Sequence, residues 1–519
     1  MKRLSFLGCG LWALGALAQR GGPDAIRIDR MRADIVFLSS GPLAGRRALE
    51  RGSEVAVQFI AAEFAKAGLK PANGDSYLQE FALIEYRSKQ RSLTLERGGR
   101  KQAYQSGRDF TGSFPRDVRV AGPVVFAGYG ITAPEFGYDD YAGLDAQGKV
   151  VLIFDHELQE NDAKSVFNGL GNTRYASPQF KLVNAQRHGA VGLVTVAEPN
   201  RKHPSNQERM ARVPRGRERV VSPAAVALAE SDRRIPVFSV SDAVAAELLA
   251  PAGKKPGELQ TSIDAALKPA SLAVADTGIE MRVESEEIRR APTANVVGIL
   301  PGRDPKLRDE TVLFTAHYDH LGVRGEQVLP GADDNASGTA GLLELARTFA
   351  QDPQRPKRTL LFIAFGAEEA GLLGSYYYTA HPLRPLRSSS AVVNLDMIGR
   401  DERPSKQTEG LIRIAEDTSN ELNLIGLRNQ PKLRALIERE NRQVGLRLND
   451  KWEDDAALSV LWRCDHFPFM LHDVPAVWLF NGFTPDYHQP TDTVEKLNFA
   501  KMRKIVRLAY RVGRALADQ

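Results

Sequence analysis

The chain has 519 residues, enough for two or three domains at about 100 to 200 residues each. Apolar residues make up 43% and charged residues 26%, a globular balance that excludes disordered, collagen-like and coiled-coil classes. The 69 Lys and Arg against 64 Asp and Glu leave +5, too small and too interspersed an excess to imply nucleic-acid binding.

At the amino end, Lys2 and Arg3 precede the apolar run Leu4 to Leu17, and Ala16, Leu17 and Ala18 form a small-residue cleavage pattern. Together they read as a signal peptide over 1–18, implying export to the periplasm or the extracellular space. The alternative, an uncleaved anchor, is weaker because the run falls short of the roughly 20 apolar residues a spanning helix needs. The mature chain is therefore expected to have no stable membrane insertion. Cleavage removes Cys9, whose context is poor for lipid attachment, and leaves Cys464 with no intrachain disulfide partner.

From Ile26 to about Lys70 the pattern is helical, with Val55, Phe59, Ile60, Ala62 and Phe64 at helix-face spacing and Gly68 as the stop before Pro71. Tyr77 to Ile84 reads as a strand. Residues 19–117 are assigned to the amino-terminal part of one domain. Over 118–275 the texture changes to short β-type runs (Val124 to Phe126, Val150 to Phe154, Val191 to Val196, Val237 to Val240), which suggests an inserted module. Its polar stretches Glu157 to Tyr175 and Pro199 to Arg219 read as solvated loops. Over 276–519, strands at Val296 to Leu300, Thr311 to Ala316, Thr359 to Phe365, Val392 to Leu395 and Ala476 to Phe480 alternate with helices at Thr339 to Phe349 and near Leu372 to Thr379. That alternation predicts an α/β fold with a mostly parallel sheet flanked by helices.

In such sheets ligands bind beyond the carboxyl ends of the strands. Here the run TVLFTA ends in His317, Tyr318, Asp319 and His320; LLFIAF ends in Gly366, Ala367, Glu368 and Glu369; AVVNL ends in Asp396. Two further polar elements are GADDNASG (Gly331 to Gly338) and YHQPTDT (Tyr487 to Thr493). Carboxylates aimed at one rim repel one another unless a cation lies between them, so a metal site is the economical account. His, Asp and Glu without thiolates suit zinc or a similar divalent ion.

The ordered series HYDH, GADDNASG, GAEEAG, NLDMIG and YHQPTDT resembles the co-catalytic zinc exopeptidases of metallopeptidase family 28, which include secreted aminopeptidases and glutamate carboxypeptidases. The resemblance covers Asn295 to Leu516 well and Ile26 to Ile84 loosely, and the middle module resembles the protease-associated domain often inserted in this family. It implies two zinc ions, with His317 and Asp396 on one, Glu369 and His488 on the other, and Asp334 bridging both. It further implies Glu368 as general base, Asp319 as the residue orienting His317, a cis peptide between Asp334 and Asn335, and peptides as substrates. The chain departs from the family at Leu461, where a Tyr is common, and at Cys464, where Ser is common. That leaves oxyanion stabilisation to a zinc or to the indole of Trp462, with Asp465 and His466 as structural supports. The leading expectation is an aminopeptidase. A glutamate-type carboxypeptidase and a non-catalytic receptor-like protein are the alternatives, and a glutaminyl cyclase is disfavoured because it would use a reduced ligand set.

Overall fold

The computed structural model describes residues 22–160, 162–202, 205, 224–455 and 458–519. The signal-peptide segment and most of the Arg-rich stretch 199–219 therefore lie outside the described residues. Among those described, no helix is long and apolar enough to cross a membrane.

Among the described residues, one sheet takes strands from Lys70 to Phe480. In its carboxyl-terminal half the strands Thr359–Phe365, Thr311–His317, Ser389–Leu395 and Ala476–Phe480 lie side by side and parallel. They are almost wholly buried, which explains why they read as unbroken apolar runs rather than alternating ones. Antiparallel strands flank them: Glu421–Ile425 beyond Ala476–Phe480, and the end of Leu272–Leu300 beside Thr359–Phe365. Helices Ile28–Leu38, Arg51–Ala67, Gly338–Gln351 and Phe499–Asp518 contribute Ile35, Ile60, Phe64, Leu342 and Ile505 to the core on this sheet. Arg51–Ala67 ends at Gly68 with φ 85, the left-handed cap expected of a glycine stop. Arg347 ties these helices together, donating to Asp34 at 2.6 and 3.1 Å and to Glu63 at 2.7 Å.

The strand expected at Tyr77 to Ile84 extends much further, as Leu78–Arg97, and pairs antiparallel with the long strand Leu272–Leu300. This two-stranded arm carries the chain into a second core. There Val118–Phe126, Val150–Phe154, Gly192–Val196 and Val237–Val240 lie parallel and pack with residues from Leu93 to Val283, a span wider than 118–275 on both sides. The segment Glu157 to Tyr175 is not a solvated loop. Glu157, Leu158, Phe167 and Tyr175 are all buried, because aromatic contacts among Phe136, Phe167 and Tyr175 fold it onto the second core.

Candidate metal centre

The parallel strands deliver their polar ends to one place. His317 is the last residue of its strand; Glu368 and Glu369 follow Phe365, and Asp396 follows Leu395. The loop bearing Asp334 reaches them through Asn335, whose Oδ1 accepts from the amides of Gly338 (2.9 Å) and Met397 (3.2 Å) and whose Nδ2 donates to the Leu395 carbonyl (3.1 Å). This side chain pins the loop to the end of the neighbouring strand and sets Asp334 beside Asp396. The approach is close enough that a Cβ on Gly338 would lie 2.2 Å from the Leu395 oxygen. The Asp334–Asn335 peptide is cis.

Asp334 divides its oxygens between two groups. Oδ1 lies 3.6 Å from His317 Nε2, which is itself 3.4 Å from Asp396 Oδ1. Oδ2 lies 3.2 Å from His488 Nε2, which is 3.4 Å from Glu369 Oε2. His317, Asp334 and Asp396 form one set of three potential ligands within 4.8 Å of one another, and His320, Asp334 and Glu369 form another. His317 Nε2, His488 Nε2 and Asp396 Oδ1 are buried and make no hydrogen bond among the described residues. Buried nitrogens and carboxylate oxygens facing one another without a donor between them fit a divalent cation.

The two adjacent glutamates meet opposite environments. Burial pushes the Glu369 carboxyl up, but His488 and the bond from His320 Nδ1 (2.7 Å) outweigh it and hold the group well below the usual range. Burial pushes Glu368 well above that range, and Glu369, Asp465 and Asp396 add to the effect against the pull of His317. Glu368 Oε2 stands 3.8 Å from His317 Nε2, on the rim of the cluster. His317 is held well above its ordinary value: burial opposes protonation, and Glu368 and Asp396 more than offset it.

Asp319 touches both sides of the site. Its carbonyl oxygen lies 3.2 Å from His317 Nδ1, nearer than its Oδ1 at 3.8 Å, while its carboxylate accepts from the amides of Glu368 (3.0 Å) and Glu369 (3.3 Å). The ring is thus met through the backbone, and the side chain shapes the glutamate turn. Cys464 Sγ lies 2.9 Å from Asp396 Oδ2 and 2.9 Å from Asn394 Nδ2, so the thiol donates to the carboxylate and accepts from the amide. Asp465 accepts from Ser375 at 2.5 Å.

Several further contributors act through contacts that their own sequence neighbourhood does not specify. Arg46 is buried and donates to the carbonyls of Tyr318 (2.8 Å), Pro330 (2.7 Å), Gly331 (3.0 Å) and Leu38, clamping the His317 turn to the Asp334 loop; burial lowers it to about 10 despite Asp319 and Asp334 nearby. Asp492 accepts from the amides of Asp333 and Asp334. His320, the second histidine of the HYDH run, joins the Glu369 side, a position that the spacing of the run does not specify. Arg463 and Tyr487 line the pocket with Glu368, Glu369 and Asp396, and Arg463 Nη2 donates to the Tyr487 hydroxyl at 3.2 Å. Trp462 does not line this pocket; its ring stands edge-on to His156 of the second core, 5.9 Å away.

A parallel α/β sheet whose strand ends gather carboxylates and imidazoles around a shared aspartate defines a metallohydrolase-type centre. The chain belongs to peptidase family M28, whose model matches residues 295–512. It is 30% identical over 217 residues to aminopeptidase YwaD of Bacillus subtilis, covering 40% of this chain and 42% of that one. It is 30% identical over 247 residues to the Escherichia coli protein YfbL, covering 43% of this chain and 72% of that one. The chain thus spans less than half the length of YwaD. A solved aminopeptidase from Aneurinibacillus sp. strain AM-1 superposes with a TM-score of 0.48 at 19% identity, over 96% of this chain and 95% of that one.

Proposed function

We propose that the protein is an exported zinc aminopeptidase acting on peptides. The observation that carries this reading is the division of Asp334 between the His317–Asp396 side and the Glu369–His488 side, with Glu368 beside His317. His317, Asp396, Asp334, Glu369 and His488 would hold two zinc ions, with Asp334 shared. Bound there, such ions lower the pKa of a water and polarise a substrate carbonyl. Glu368 acts as general base and then as general acid, moving one proton from that water to the leaving amine. Glu369 faces His488 at 3.4 Å and His320 at 2.7 Å, as a ligand would, whereas Glu368 comes no nearer than 3.8 Å to His317, which leaves Glu368 as the candidate proton carrier. Tyr487, its hydroxyl held by Arg463, is our candidate for the oxyanion donor that Leu461 cannot supply. The second module, read as a protease-associated insert, would meet the catalytic domain where His156 stands against Trp462, the residue before Arg463 of the pocket.

A free amino terminus is a cation suited to this acidic pocket. We therefore expect hydrolysis of amino-acyl p-nitroanilides with a free α-amino group, and little once it is acetylated. Arg463 is the one observation favouring the carboxypeptidase alternative, since a guanidinium at the pocket suits a substrate carboxylate. Cleavage of an acetylated dipeptide from its carboxyl end, with no cleavage of free amino-acyl anilides, would replace the aminopeptidase reading with that one.

A further inference from the structure

The second core repeats, on a smaller scale, the arrangement that places ligands at strand ends. Strands Val150–Phe154 and Gly192–Val196 are adjacent and parallel, with Phe154 opposite Val196. His156 and Glu198 each follow their strand by two residues, so both side chains emerge at the same edge. His156 takes a left-handed backbone (φ 51), which histidine tolerates better than most residues and which turns the chain at that point. Glu160 returns beneath it. His156 Nδ1 lies 2.8 Å from Glu160 Oε1 and 3.7 Å from Glu198 Oε1, and all three potential ligand atoms fall within 4.8 Å of one another. The three residues are 2, 8 and 3% exposed.

We propose that His156, Glu160 and Glu198 form a divalent-cation site separate from the centre at His317. One imidazole and two carboxylates without a thiolate match zinc and its late first-row neighbours rather than calcium, which prefers six or more oxygens. Glu160 already has a supporting contact: Asn172 Nδ2 donates to Oε1 at 2.7 Å and fixes the carboxylate's orientation. The adjacent carboxyl of Glu157 is committed to Thr173, and the buried ammonium of Lys181 to the carbonyls of Tyr129 and Phe154. An ion here also has a route to the catalytic domain. The His156 ring abuts Trp462, the next residue Arg463 lines the pocket, and Cys464 bonds Asp396. Occupancy would hold the second core against that wall.

Zinc per chain, measured by mass spectrometry of the metal after equilibrium dialysis at a fixed free-zinc concentration, tests the site. A chain carrying His317→Ala, Asp334→Ala and His488→Ala is expected to retain one zinc, and adding Glu198→Gln should remove it. In the otherwise native chain, Glu198→Gln or His156→Gln should lower the content by one equivalent. Circular dichroism identifies any variant that fails to fold, and the near-isosteric Glu198→Gln decides if His156→Gln does. Equal zinc with and without Glu198→Gln in the native background would overturn the proposal and leave a buried ion-pair network of His156, Glu160 and Asn172. Because the triple variant's own loss reports on the His317 centre, failure of one reading is separable from failure of the other.

Discussion

Asp334 is the residue on which the proposed centre depends most. Its two oxygens face different histidines, so Asp334→Ala is expected to empty both positions, whereas His317→Ala and His488→Ala should each chiefly weaken one. Zinc titration of the three variants checks this; equal losses in all three would leave the shared role unsupported. Which residues were legible in the sequence follows from where their signals lie. His317, Glu368, Glu369 and Asp396 stand immediately after apolar runs, and Asp334 and His488 sit in compact polar motifs. Arg46 acts on backbone groups 272 to 285 residues away along the chain, where no spacing rule marks a partner, and Asp492, although inside the YHQPTDT run, carries no mark there of the amides it accepts from 158 and 159 residues upstream. Trp462 illustrates the converse: a neighbouring indole reads as a donor in sequence, but the fold turns its ring to His156.

At the scale of elements, the buried parallel strands were readable because their apolar runs are too short for a buried helix and too unbroken for a strand with one wet face. The arm formed by Leu78–Arg97 and Leu272–Leu300 was not. Its middle is rich in Arg, Lys, Gln and Glu and half exposed on both faces, and only the pairing of the two strands, with register shifts near Ser285 and Arg289, makes it a β element. The helices over the sheet rely on Arg347. Removing it strands the buried carboxyl of Asp34 and leaves Glu63 with Lys66 alone, so Arg347→Ala should destabilise the fold by about 3 kcal/mol in urea unfolding. A loss under about 1 kcal/mol would show that the helices hold without it. The loop before His488 is anchored by Asp486, which accepts from Arg400 (2.7 Å), Lys496 (2.6 Å) and Thr491 (2.5 Å). Burial pushes this carboxyl up, but those donors prevail and take it down to about 2. A depressed folded pKa stabilises the fold above the unfolded value near 4, and that contribution is lost as pH falls toward 2. Asp486→Asn should therefore be less stable than wild type by about 1 kcal/mol at neutral pH, with the gap closing between about pH 4 and pH 2. A gap independent of pH would assign the effect to packing instead.

For the whole molecule, a single sheet joins two cores, and His156 of the second stands edge-on to Trp462, the residue before Arg463 of the pocket. In the proposed mechanism the strand-end cluster holds metal and Glu368 moves the proton without holding it. One preparation of Glu368→Gln decides this, with zinc content and kcat on an amino-acyl anilide measured side by side. The amide keeps the side chain's shape but cannot accept the water's proton, so zinc should stay at the wild-type level while kcat falls by about 100-fold or more. Loss of an equivalent of zinc together with activity would make Glu368 a ligand and leave the centre without its proposed base.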